Sequence, residues 1–143
     1  MRYTDIAIVG GGLAGSTAAA MLGRARISTV VVDPHRTCPF DFRVEKIGGE
    51  EQVARFLKTG VTESVLRSAT PCTENRIARF GRLLDTHPTR QFGIMYDDLV
   101  AAMRAEMRAP AEMAFDKVIG IATSDERQTM TLSEGEPISA RLV

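Results

Sequence analysis

Two cysteines and two histidines are all that this 143-residue chain contains, and that scarcity excludes much at the outset. Cys38 and Cys72 share no metal-ligand spacing, and His35 and His87 add too little to build a zinc site, so no metal is expected. Two ordinary free thiols are expected, not a disulfide or a redox pair. Neither sign of charge is in excess: 18 basic and 18 acidic residues give a formal net charge of +0. No basic stripe follows a phosphate backbone, which argues against a nucleic-acid partner. Long apolar runs are also missing. Ile27 to Val32 is among the longest and is far too short to span a bilayer. The N-terminus lacks the apolar core and cleavage site of a signal peptide. The expectation is a soluble, cytoplasmic protein with no membrane partner, whose length suits one domain spanning 1–143.

What is present is order at the N-terminus. Ile6-Ala7-Ile8-Val9 is a short β-branched run, as suits a strand buried on both faces. Gly10-Gly11-Gly12 ends it, and Leu13 to Arg26 is rich in good helix formers, with Ala14, Ala18, Met21, Leu22 and Ala25 near one face. Ile27 to Val32 is a second strand, closed by Asp33-Pro34. The unit is a βαβ crossover. Asp33 to Val44 reads as loop, Gly49 to Lys58 as helix with Gly60 just past its end, and Val61 to Ser68 as another turn or two. Ile77 to Leu84 and Gln91 to Met95 read as strands flanking a turn at Asp85-Thr86-His87-Pro88. Asp97 to Met107 is a second firm helix, with Asp97 and Asp98 at its positive end and Arg104 and Arg108 complementing the negative end. Phe115 to Thr123, Gln128 to Leu132 and Ile138 to Val143 then form an antiparallel meander. The chain stops at Arg141-Leu142-Val143 inside that last strand, which predicts a piece of a longer protein. The fold class is therefore α/β: a Rossmann-like βαβ dinucleotide-binding domain with an antiparallel β-meander, truncated.

The chemistry is concentrated in Gly10-Gly11-Gly12-Leu13-Ala14-Gly15, which matches G-x-G-x-x-G after a strand and before a helix. Gly10 allows the tight turn, Gly12 lets a pyrophosphate approach the backbone, and Gly15 lets helix and strand pack closely. The amides around Leu13, Ala14 and Gly15, with the helix dipole behind them, make an anion site. Asp33 lies 18 residues past Gly15, at the end of the second strand, where a carboxylate can accept hydrogen bonds from ribose hydroxyls and repel a 2′-phosphate. A glycine turn with no ligand, and an aspartate that merely opens the turn into Pro34, are the plainer alternatives. Arg36 has two readings: packing on the adenine or its phosphates, or a solvated loop charge. His35 and His87 read as isolated loop or turn residues. No nucleophile and base are paired, so no catalytic residue is named.

The run Asp5 to Gly15, Val30-Val31-Val32-Asp33 and the later helix-plus-meander resemble the FAD-binding region of the para-hydroxybenzoate hydroxylase-like flavoproteins. That group includes aromatic hydroxylases, geranylgeranyl reductase-like enzymes and flavin-dependent halogenases. The resemblance covers the whole chain but only the opening part of such a protein, with substrate-domain strands expected within 76–95. It implies that Gly10, Gly12 and Gly15 bind the pyrophosphate of FAD and Asp33 its ribose. It makes Arg43 a candidate for the flavin's phosphates or for substrate access, against a plain salt bridge with Glu45 or Asp41. It places the backbone of Val118 against the adenine. Tyr96 departs from the pattern, because many relatives carry an arginine just before this helix. The implied activity is a monooxygenase that uses NAD(P)H to reduce the flavin and O₂ to hydroxylate a small organic substrate. A halogenase, a reductase, and a non-catalytic NAD- or FAD-binding module are the alternatives.

Overall fold

The computed structural model describes all residues, Met1–Val143, and divides the chain into two compact units: Met1–Pro39 with Val100–Val143, and Phe40–Leu99.

The first unit is built on strands β1 (Arg2–Val9) and β2 (Thr29–Val32), joined through helix α1 (Leu13–Arg24). They pair in parallel, with Ile6 opposite Thr29 and Val9 opposite Val32. All four residues of β2 are buried, as expected where both faces of a parallel strand are covered. The buried face of α1 is not the one that carries Ala14, Ala18, Met21, Leu22 and Ala25. It carries Ser16, Ala19, Ala20 and Gly23, while Met21 is 43% exposed. The reason is closeness of packing. A Cβ on Gly15 would lie 2.0 Å from the Gly10 carbonyl oxygen, and one on Gly23 would lie 2.4 Å from that of Arg108. A helix that approaches backbone so closely must turn its smallest residues inward.

A further strand, β6 (Ala111–Ala114), pairs in parallel with β2. Its sequence, Ala-Glu-Met-Ala, favours helix by intrinsic propensity, and pairing with β2 overrides that preference. The expected meander is present as β7 (Val118–Thr123), β8 (Gln128–Leu132) and β9 (Ile138–Leu142), antiparallel in sequence. Its last strand then pairs in parallel with β1, from Arg2 opposite Ile138 to Ile6 opposite Leu142. The meander therefore belongs to one six-stranded sheet, ordered β6-β2-β1-β9-β8-β7. Ala7, Val30, Val32, Met130, Leu132, Ile138 and Ala140 form its core. Asp116, just before β7, accepts bonds from the Ser133 hydroxyl and from the amides of Gly135, Lys117 and Glu134. The hydroxyl first, then those amides, hold its carboxyl down to about 2.

The second unit is a three-stranded antiparallel sheet ordered β3-β5-β4, with helices α2 (Gly49–Thr59) and α3 (Thr62–Ser68). Strand β3 (Val44–Gly48) begins where a loop was expected to end, and it buries only Ile47. The expected turn at Asp85 to Pro88 is instead the middle of β5 (Arg82–Met95), paired with β4 (Thr70–Arg79) as Asp85 opposite Ile77 and Pro88 opposite Glu74. The hairpin turns at Phe80 and Gly81, with φ of 49° and 74°. Two consecutive left-handed residues match the twist of the flanking strands, and that geometry outranks the turn propensity of Asp and Pro. A Cβ on Gly81 meets nothing within 4 Å. Gly81→Ala is therefore expected to cost only the left-handed backbone penalty, about 1 kcal/mol in urea unfolding. A loss above about 3 kcal/mol would contradict that open geometry.

Helix α4 (Tyr96–Ala105) opens in the second unit and closes in the first, burying Leu99, Val100 and Met103. No helix is long and apolar enough to cross a membrane.

Candidate functional site

Gly10 follows β1 with φ of 98°, a left-handed conformation that side chains resist, and its amide donates to the Val32 carbonyl at 2.8 Å. Gly12 is the extended N-cap of α1, and the first helical bond runs from the Ser16 amide to the Gly12 carbonyl at 2.9 Å. Leu13, Ala14 and Gly15 form the first turn, whose amides precede that bond. α1 has no side-chain cap and no acidic residue in this turn, whereas Glu50, Glu63 and Asp97 occupy the first turns of α2, α3 and α4. No acidic side chain of its own first turn therefore meets the positive end of α1.

Asp33 sits at the end of β2, its own amide bonded to the Ala114 carbonyl at 3.1 Å. One carboxylate oxygen accepts the Gly11 amide at 2.7 Å and the other accepts the His35 amide at 2.8 Å. The sequence-predicted acid and glycine loop are thus hydrogen-bonded to each other. Burial pushes the carboxyl up. The His35 and Gly11 amides, and after them the Arg104 guanidinium, outweigh it and hold the pKa below the ordinary aspartate value. Each oxygen keeps further acceptor capacity for hydroxyl groups.

Two residues of this site were not anticipated. Ser16, fully buried, donates its hydroxyl to the Gly11 carbonyl at 2.8 Å. Arg104, expected to serve the end of α4, instead sends Nε and Nη2 to the Gly11 carbonyl at 2.9 and 2.7 Å. Its Nη1 donates to the carbonyls of His35 and Arg36 at 2.9 and 3.1 Å. Helix periodicity marks such an arginine as terminal and solvated; only the packing of α4 turns it inward.

Of the remaining candidates, Arg36 is exposed and lies over the Phe115 ring at 4.6 Å, beside the acid. Val118 packs part-buried against the sheet core. Arg43 belongs to the second unit. Its guanidinium stacks on Tyr96 at 3.9 Å and lies 3.3 Å from Asp41 and 3.6 Å from Glu45, so both salt bridges of the plainer reading are present. His35 and His87 are not isolated: each lies beside an aspartate two residues earlier, at 3.4 Å from Asp33 and 3.1 Å from Asp85. The second unit also carries an open apolar cleft of about 370 Å³ between α2 and the β4–β5 pair, lined by Val53, Leu57, Pro71 and Phe92. It has no convergent set of chemical groups comparable with the glycine loop.

The glycine loop fits a dinucleotide, and comparison with known proteins agrees. Residues 3–132 match the family described as FAD binding domain. Comparison with curated proteins yields no match. Among solved structures, the p-nitrophenol 4-monooxygenase PnpA from Pseudomonas putida DLL-E4 aligns with a TM-score of 0.86 and 18% identity, over 99% of this chain and 40% of that one. A variant of PqsL from P. aeruginosa aligns with a TM-score of 0.80 and 18% identity, over 99% and 42%. The rebeccamycin biosynthetic enzyme RebC with reduced flavin aligns at 0.78 and 17%, over 99% and 32%. The chain thus spans about two fifths or less of the length of these neighbours. With the family match covering most of its residues and the acid bonded to the glycine loop, this chain belongs to the FAD binding domain family.

Proposed function

We propose that this chain holds the ADP part of FAD for a flavin-dependent monooxygenase acting on a small organic substrate in the cytoplasm. The observation that carries the reading is the hydrogen bond that joins Gly11 to Asp33 at the N-terminal end of α1. In this reading Gly10, Gly12, Leu13, Ala14 and Gly15 present backbone to the pyrophosphate, and Asp33 accepts from the ribose hydroxyls. Arg36 and the backbone of Val118 border the adenine. Arg43 enters this reading through the family resemblance alone, as a candidate for the flavin's phosphates or for substrate access. Bound FAD supplies the redox chemistry, with NAD(P)H as reductant and O₂ as the source of the inserted oxygen. The protein's own task is to bind, orient and exclude water.

Purified chain is expected to be yellow or to become so on titration with FAD, and to bind ADP with the same dependence on the glycine loop. A chain that binds NAD but not FAD, or neither FAD nor ADP, overturns the proposal. The absorbance spectrum followed by calorimetric titration decides it.

A further inference from the structure

We propose that Arg104 is a positioning residue for the dinucleotide: it ties the glycine loop to the loop that follows the ribose acid, and so aims both at the ligand. The inference rests on the FAD reading above. Arg104 makes four hydrogen bonds, all to backbone carbonyls, two on Gly11 and one each on His35 and Arg36. Its side chain is 12% exposed, and Nη2 lies 3.6 Å from the Asp33 carboxylate. A planar guanidinium reaches carbonyls on two separate loops at fixed angles; an ammonium does not. With these donors engaged, Arg104 serves as a brace for the loops and not as a direct phosphate ligand.

The brace has a consequence for the loop. Gly11 is held at both ends, its amide by Asp33 and its carbonyl by Arg104 and Ser16. In a planar trans peptide the carbonyl and the next amide point in opposite directions. Fixing the Gly11 carbonyl on the guanidinium therefore directs the Gly12 amide away from it. The same contact bears on a glycine that the G-x-G-x-x-G pattern leaves open. A Cβ on Gly11 would lie 2.9 Å from Arg104 Nη2, 2.9 Å from Met113 Cε and 3.1 Å from Asp33 Cβ. A side chain at position 11 would therefore displace the ends of Arg104 and Met113 and press on Asp33. The positive charge beside Asp33 also favours the ionised acid that ribose hydroxyls need.

The test compares wild type with Arg104→Gln and Arg104→Lys, each checked for folding by circular dichroism. FAD and ADP affinities are measured from neutral pH down to below the ordinary aspartate range, and the Asp33 carboxyl is titrated by NMR in the ligand-free chain. Arg104→Gln is expected to weaken FAD and ADP by the same factor, about tenfold or more. It should also move the acid limb of binding and the Asp33 titration to higher pH. Arg104→Lys should keep Asp33 near its wild-type titration while failing to restore affinity, since it supplies charge without the fork. Should Arg104→Gln not fold, Arg104→Lys decides by affinity alone. Unchanged affinity in the folded variants, or an unmoved Asp33 titration in Arg104→Gln, overturns the brace. If wild type binds neither FAD nor ADP, the functional reading fails and the ligand-free titration still judges the tether.

Discussion

Gly15→Ala is expected to be among the most damaging single substitutions in this chain, costing about 3 kcal/mol, near the top of the range for overpacking. The added Cβ would sit 2.0 Å from the Gly10 carbonyl oxygen and 3.1 Å from Ile8 Cγ2. The first of these is backbone and cannot swing aside. Either α1 moves away from β1, or the turn at Gly10 opens, and in both cases the first-turn amides lose their aim. Stability and ligand binding should therefore fail together, with a fall in Tm of about 10 °C. Gly10→Ala offers a contrast. Nothing lies within 4 Å of its Cβ, so its penalty comes from φ of 98° alone, about 1–3 kcal/mol. Thermal melts with and without ADP separate the two. If Gly15→Ala melts like wild type, the close helix–strand contact is wrong.

Asp33→Asn is expected to weaken FAD and ADP by about tenfold to hundredfold, as befits loss of a charged hydrogen-bond acceptor. The amide also creates a local conflict. Both carboxylate oxygens accept backbone amides, from Gly11 and His35, whereas asparagine supplies one acceptor and one donor group. One amide must then face an NH₂ group, and the loop that Asp33 holds should loosen. Wild-type binding should be flat from neutral pH down through the ordinary carboxylate range. Asp33 in the folded chain titrates below the ordinary aspartate value, so the site keeps its ionised acid through that range. That ionised form is lost only as pH falls through the lower, folded value. Asp33→Asn removes that acid limb. Calorimetric titration across pH checks both statements, and an unaltered ADP affinity in Asp33→Asn would refute the ribose role.

The parts of this protein legible in its sequence share one property: each depends on residues close together in the chain. The strand at Ile6, the glycine turn, the helix from Leu13 and the strand ending at Asp33 form one contiguous unit, and the G-x-G-x-x-G spacing with its acid reports local backbone geometry. The helix from Asp97 and the three meander strands were legible for the same reason, through their own periodicity and turns. The Phe80-Gly81 turn was missed because Asp85 to Pro88 carries the stronger turn composition.

What only the tertiary structure decided involves partners far apart in sequence. Ala111–Ala114 becomes a strand because β2 offers an edge, not because of its own preference. The meander joins the parallel sheet because β9 pairs with β1 across more than a hundred residues. The inward face of α1 is set by how near Gly15 and Gly23 come to other backbone. Arg104 reaches Gly11 across 93 positions, so no spacing rule relates them. Sequence alone determined the glycine turn and the acid that bonds to it, since turn geometry and charge are local properties. Packing decided which side chains hold that loop in place, since a part-buried guanidinium takes its role from the carbonyls that the fold brings around it.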